Sequence, residues 1–213
     1  MMIEEPRKIE GELGRAADRD PGDWAKVRDR FAQKAIGEGL VEISYEMHDS
    51  PFGPLLVAAS GRGLVRVGLA AENEQHVLEG ISKHLSPLIV RVPRSDTESA
   101  RRQLDEYFDG RRRKFDLSLD WSLAHGFRRE VLLATERIPY GETRSYFDLA
   151  DEAGSPRAVR AAGSALANNP LPIVVPCHRV LRADGQVGSY LGGSSMKRDL
   201  LSLEDSGNRN QAA

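Results

Sequence analysis

The chain has 213 residues, 40% of them hydrophobic and 29% charged, with a formal net charge of −2. That is the make-up of a globular chain of one large or two small domains, and it excludes a protein held on nucleic acid mainly by a strongly basic overall charge. No apolar run approaches the roughly 20 residues of a membrane span, and a single cysteine excludes an intramolecular disulfide.

Residues 1–40 read as an N-terminal extension. Its first part, up to Pro21 and Gly22, mixes acids and bases and is too poor in apolar groups to build a core. From Asp23 to Ile36, Trp24, Val27, Phe31 and Ala35 recur at helical spacing and predict one amphipathic helix. A small α/β domain with an antiparallel sheet is expected over residues 41–120. Strands at Val41–His48, Leu55–Ala59 and Leu64–Leu69 are separated by the turn clusters Asp49–Gly53 and Ser60–Gly63 and make a meander. A helix over residues 72–85, a short strand at Leu88–Val92 and a helix at Thr97–Phe108 follow, the last with Ala100, Leu104 and Tyr107 or Phe108 on one face. The run Arg111–Lys114 is a solvated turn, and Phe115–Leu119 alternates as a final strand.

The boundary is placed in the stretch from Asp120 to Gly126. A mainly helical domain is expected over residues 121–205, followed by a polar tail, 206–213. Phe127, Val131 and Ala134 stripe a helix that ends before the turn Ile138–Gly141. Ser145 caps the next helix, with Asp148 three residues on as its capping-box partner, and Gly154 ends it. Ser155 then caps a second helix over about residues 156–168, with Pro156 in its first turn. Two short helices around a tight glycine turn are the parts of a helix-turn-helix, here winged-helix-like. On the second helix Val159, Ala162, Gly163 and Leu166 fall on the core face, and Arg157, Arg160, Ser164 and Asn168 fall outside. The short Ala158, Ala161 and Ala165 lie between those outer residues and permit close approach to a duplex, from which Arg160 projects as a finger.

The only cysteine, Cys177, stands in Asn169–Val180, directly before His178 and after the apolar run Ile173–Val175 that Pro172 and Pro176 bracket. That run reads as a buried strand or extended segment. A lone cysteine is more often a small core hydrophobe, but a thiol beside a base can ionise near neutral pH and act as a nucleophile. His48, His76, His84 and His125 lack the spacing of metal-ligand pairs, so no metal is expected. The charged N-terminus lacks a signal peptide's apolar core, which points to the cytoplasm.

Three blocks carry a resemblance: Ile138–Tyr146, Ala158–Gly163, and Asn169–Val180 with Gly188–Gly193 after it. From about Phe127 to Glu204 they resemble the catalytic domain of the O6-alkylguanine-DNA alkyltransferases, the methylated-DNA–cysteine methyltransferases. Residues 41–119 fit that family's N-terminal domain by element order only, and residues 1–40 lie outside the resemblance. The resemblance implies an α+β protein that repairs duplex DNA by direct reversal. The alkyl group on the O6 of guanine would pass irreversibly to Cys177 after the base is flipped out, once per molecule. His178 would act on Cys177 through a bound water, Glu204 would orient His178, and Asn169 would hold the tight turn that packs the active-site loop onto the recognition helix. Arg160 would fill the gap left by the base, with Ser145, Arg157, Ala158 and Ala161 beside it on the DNA. Tyr146 would push on the target phosphate and meet the flipped guanine. The carbonyls of Cys177 and Val180 would take the guanine amino group, the Leu191 N–H would donate to O6, and Tyr190 would line the pocket. The implied partner is double-stranded DNA containing O6-alkylguanine, bound in the minor groove by a monomer without cofactor. Leu191 departs from the family, where many relatives have Ser or Ala, and bears on the width of the pocket.

Three other readings differ in kind, one of them a non-catalytic binder of alkylated DNA, which would lack the cysteine that is present here as Cys177. A DNA-binding sensor or regulator of alkylation damage using the same domain would need a further module, for which residues 1–40 are short. A cysteine hydrolase would need an oxyanion-hole glycine motif around the thiol, and the sequence has none there.

Overall fold

The computed structural model describes residues 34–35 and 37–209. Residues 1–33 and 210–213, with most of the helix expected at Asp23–Ile36, lie outside the described residues. Met1–Val41 and Glu42–Ala213 are separate compact units, and all that follows concerns the second.

Strands β1 (Ile43–His48), β2 (Leu55–Ser60) and β3 (Gly63–Gly68) form the expected antiparallel meander, and β4 (Ile89–Arg91) adds to β1 in parallel, giving the order β3-β2-β1-β4. β2 lies inside the sheet and is buried along its whole length, which suits its continuous apolar run. Helix α1 (Glu74–His84) starts where Asn73 Oδ1 accepts the N–H groups of Gln75 and His76. It sets Val77 and Ile81 against Ile43, Leu56, Ala58 and Val65 on one side of the sheet. The other side, with Leu55, Val57, Leu64 and Val67, packs on Ala100, Leu104 and Tyr107 of α2 (Ser95–Phe108).

The same core continues into the helical half through Val131 and Leu132 of α3 (Gly126–Glu136), Leu149 of α4 (Tyr146–Glu152), Ala162 and Leu166 of α5 (Val159–Ala167) and Leu200 of α6 (Gly193–Arg209). The two expected domains thus share buried surface, each full-size aliphatic side chain contributing about 1.5–3 kcal/mol. Strands β5 (Arg144–Ser145) and β6 (Val180–Leu181) pair in parallel and tie the start of α4 to the segment behind the cysteine.

Two local expectations need correction. Phe115–Leu119 is not a sheet strand. Its backbone bonds go largely elsewhere: Gln103 Nε2 donates to the Asp116 carbonyl at 2.8 Å, and the Asp116 N–H donates to Gln103 Oε1 at 2.7 Å. Only the isolated bridge between Leu64 and Leu119 links the stretch to the sheet. The second helix of the helix-turn-helix begins at Val159, not near residue 156. Ser155 makes no side-chain cap; its carbonyl accepts the Ala158 N–H at 2.8 Å, so Pro156 and Arg157 form a turn before the helix.

Candidate active site

The stretch Ile173–Val175 is a tight turn rather than a strand. Ile173 has φ of 73°. A β-branched residue in that left-handed region stores about 1–3 kcal/mol and persists only where its surroundings over-determine it. Asn169 supplies much of that constraint. Its Oδ1 accepts the Leu171 N–H at 3.0 Å, and its Nδ2 donates to the Val175 carbonyl at 2.9 Å and to Cys177 Sγ at 3.1 Å. The Val175 N–H closes the loop on the Leu171 carbonyl at 2.8 Å. Every residue from Asn169 to Val180 is buried, so the two prolines and the apolar run form part of the core while aiming the thiol.

Cys177 opens a 3-10 turn, Cys177–Arg179, that places the next two side chains on Glu204 of α6. Glu204, fully buried, accepts from His178 Nε2 at 2.9 Å, from Arg179 Nη2 at 2.8 Å, and from Arg179 Nε at 2.9 Å on its other oxygen. It also takes the hydroxyl of Tyr107 at 2.7 Å and the backbone N–H of Gly141 at 3.0 Å. Burial alone would raise the Glu204 carboxyl, but the hydrogen bonds from His178 and Arg179 outweigh it and hold it down to about 2. Burial lowers His178, although Glu204 opposes the shift. The permanent charge that balances Glu204 is therefore the Arg179 guanidinium. A carboxylate can only accept, so neutral His178 carries its proton on Nε2 and leaves Nδ1 as a lone pair. Nδ1 is buried and has no hydrogen-bond partner among the described residues.

The thiol itself departs from expectation. Burial pushes Cys177 up to about 11, against smaller opposing effects from the Asn169 hydrogen bond and from Lys197. The unbound site therefore holds a thiol, not a standing thiolate, because a charge there has lost its water. Lys197, 1% exposed, donates to the Val180 carbonyl and is itself lowered by burial. Lys197, Arg179 and Tyr107 were not singled out as site residues from the sequence. A readable signal existed for Lys197: it shares the buried face of α6 with Leu200 and Glu204, where a lone cation is out of place.

The remaining predicted residues divide by burial. Tyr146 packs against α5 and the loop after β6. A Cβ on Gly188 would lie 2.6 Å from the Tyr146 hydroxyl, and one on Gly163 would touch its ring at 3.8 Å. The missing Cβ of Gly188 thus leaves room for the Tyr146 hydroxyl. Tyr190 stands edge-on to His178 with ring centroids 6.4 Å apart, and its buried hydroxyl has no hydrogen-bond partner among the described residues. Leu191 is half-buried.

On the helix-turn-helix, Ser145 caps α4: its hydroxyl accepts the Asp148 N–H at 3.1 Å and Asp148 Oδ2 accepts the Ser145 N–H at 2.8 Å, as the spacing predicts. Gly154, with φ of 77°, ends the helix in the left-handed region where glycine is unstrained. Arg157, Arg160, Ala161, Ser164 and Asn168 are exposed and Ala158 is half-buried, but Ala165 is buried and belongs to the core face. Among the described residues, no helix is long and apolar enough to cross a membrane, and no group of three or more His, Cys, Asp or Glu is placed to hold a metal ion.

Comparison with known proteins bears on both halves of the unit. The family model for the 6-O-methylguanine DNA methyltransferase ribonuclease-like domain matches residues 43–121, and that for the DNA binding domain of the same proteins matches residues 126–206. A methylated-DNA–protein-cysteine methyltransferase of Mycobacterium tuberculosis is 40% identical over 164 residues, covering 77% of this chain and 93% of the relative. The constitutive one of Bacillus subtilis is 37% identical over 161 residues, covering 75% and 94%. The crystal structure of M. tuberculosis OGT in complex with DNA superposes with a TM-score of 0.64 at 38% identity, over 77% of this chain and 94% of that one. The enzyme from the archaeon Pyrococcus kodakaraensis superposes with a TM-score of 0.56 at 25% identity, over 76% and 98%. With sequence, fold and both domain matches in agreement, the chain belongs to the methylated-DNA–protein-cysteine methyltransferase family.

Proposed function

We propose that Cys177 receives the alkyl group from the O6 of guanine in duplex DNA, so that this methylated-DNA–protein-cysteine methyltransferase repairs DNA by direct reversal. The observation that carries this reading is the geometry of a sole cysteine held by Asn169 next to a neutral His178 whose Nε2–H is committed to Glu204. An alkyl group on O6 cannot be reached in a stacked duplex, so the base is flipped out, at a cost of a few kcal/mol. His178 Nδ1 takes the thiol proton through a water, Sγ attacks the alkyl carbon, and the C–O bond pair returns to guanine, which takes up a proton. Lys197 offsets part of the charge that appears on sulfur in this dry site. The base pocket is formed by Tyr146, Val180, Tyr190 and Leu191. Cys177 O already accepts the Val180 N–H and Val180 O accepts Lys197 Nζ, yet each carbonyl has a second lone pair for the guanine amino group. The Leu191 N–H donates to O6.

The DNA lies with its minor groove on α5. Exposed Arg160 enters the stack, Arg157 reaches a phosphate, and Ala158 and Ala161 let the backbone come close. Residues 41–120 form a supporting domain and residues 121–205 the transferring one. The protein works as a cytoplasmic monomer. A thioether has no leaving reaction under mild conditions, so each molecule acts once. The test is titration with excess duplex carrying O6-methylguanine, followed by mass spectrometry. The expected result is a plateau at one equivalent and one methyl group on the peptide containing Cys177; sustained turnover would overturn the reading. The sensor alternative is not favoured, because the relatives found across both halves of the chain are methyltransferases.

A further inference from the structure

Tyr107 is a residue of α2, in the half of the molecule that the sequence marks only as scaffold. It is fully buried and is the largest of the fully buried side chains among the described residues. Its hydroxyl donates to Glu204 Oε1 at 2.7 Å and lies 3.3 Å from His178 Nε2. His178 Nε2 donates to that same oxygen at 2.9 Å. Arg179 Nη2 donates to it as well, at 2.8 Å, so three side chains share one carboxylate oxygen, and one of them is the proposed base. The charge on Oε1 available to stabilise an imidazolium is what remains after the guanidinium and the phenol have drawn on it. The surrounding groups are fixed by other elements: Arg179 beside His178, Lys197 on α6, Cys177 before the dyad, Tyr190 edge-on to the imidazole, and Tyr140 with Arg113 over its ring.

We propose that Tyr107 is a positioning residue of the transfer reaction, whose hydroxyl shares Glu204 Oε1 with His178 and keeps the imidazole in its neutral, proton-accepting form. The N-terminal domain would then take part in the chemistry across the shared core. The inference rests on the reading of His178 as the base for Cys177, but its test does not require DNA. Removing the phenol hydroxyl returns charge to Oε1 and favours the imidazolium, which cannot accept a proton. The acid limb of Cys177 reactivity should therefore move to higher pH.

The experiment measures the pH–rate profile of Cys177 with iodoacetamide, which reports one site because the chain has one cysteine, and in parallel the profile of methyl transfer from duplex. Tyr107→Phe keeps the ring and its contacts, and thermal melting checks the fold. The expected result is an acid limb raised by about one pH unit, the size set by loss of a hydrogen bond to a charged group. Site-specific replacement of Tyr107 by a difluorotyrosine, a stronger donor, should move the limb the opposite way and keeps the test open if the Phe variant folds poorly. An unmoved limb in either folded variant, or a uniform loss of rate at every pH, would reduce Tyr107 to a packing residue and overturn the proposal. Failure of methyl transfer in the unaltered protein would count against the repair reading alone, because the iodoacetamide profile would still report on Tyr107.

Discussion

Asn168 and Asn169 are neighbours of identical chemistry with opposite surroundings. Asn168 ends α5 exposed, its amide bonded only to the Ser164 carbonyl at 2.8 Å. Asn169 is 1% exposed and has both ends of its amide committed, one of them to the thiol. The contrast extends to the regions they border. The outer face of α5 is bare and mostly exposed, with Arg160 on it and Arg157 in the turn just before it. The turn from Asn169 to Val180 is buried, strained at Ile173, and tied to Glu204 by donors from several elements. A recognition surface must stay free until DNA fills it, whereas a reacting group must be held in place before substrate arrives. Substitutions in the two regions should therefore fail in different ways.

The sharpest break is Cys177→Ser, which should abolish methyl transfer while leaving affinity for duplex within a few-fold of the original. Mass spectrometry and fluorescence anisotropy read the two properties separately. Next in size is Glu204→Ala. It leaves Arg179 buried without its counter-charge, and truncating one partner of a buried pair costs about 3–5 kcal/mol. Urea denaturation should show that loss, along with loss of transfer. Arg160→Ala should show the reverse, with stability unchanged within about 0.5 kcal/mol but repair of duplex slowed far more than reaction with free O6-benzylguanine. Equal slowing on both substrates would remove the finger role.

The buried region should also set the pH response of stability. Glu204 has a folded pKa held down to about 2, below its unfolded value, so the stability it contributes is present above the ordinary carboxylate range and is lost as pH falls toward about 2. Cys177 is raised to about 11, so its contribution is present below the ordinary thiol value and is lost as pH rises toward about 11. Denaturation midpoints of Cys177→Ser should therefore fall less on the alkaline side than those of the unaltered protein. The smallest effect is expected at Ser145→Ala, where loss of the capping box costs about 1 kcal/mol; a change in melting temperature without change in the chemical step on free base would confine Ser145 to the recognition element.

Much of the recognition element was legible because its signals are local. Ser145 and Asp148 at capping-box spacing, Gly154 at the turn and the apolar stripe Val159–Leu166 each act within a few residues. The meander was legible for the same reason. Where the reading slipped, a distant group intervened. Phe115–Leu119 alternates like a strand, but Gln103 from α2 takes both backbone bonds of Asp116 in its middle. Ile173–Val175 is apolar like a strand, but Asn169 folds it into a turn. Ala165 looks like its exposed neighbours in composition, yet the rotation of α5, set by packing against α3 and α4, puts it inside.

By itself, the sequence determined that one thiol stands beside a histidine behind a helix-turn-helix, since these are matters of order and spacing. The tertiary structure decided what that thiol is. Its state depends on lost water and on which charges surround it, and these come from places far apart in the chain. Tyr107 is 71 residues from His178 and 97 from Glu204. Lys197 and Arg179 acquire their electrostatic roles only when α6 closes over the 3-10 turn. Spacing cannot report desolvation, so the neutral thiol, the neutral imidazole and the shared carboxylate oxygen became visible only in the folded molecule.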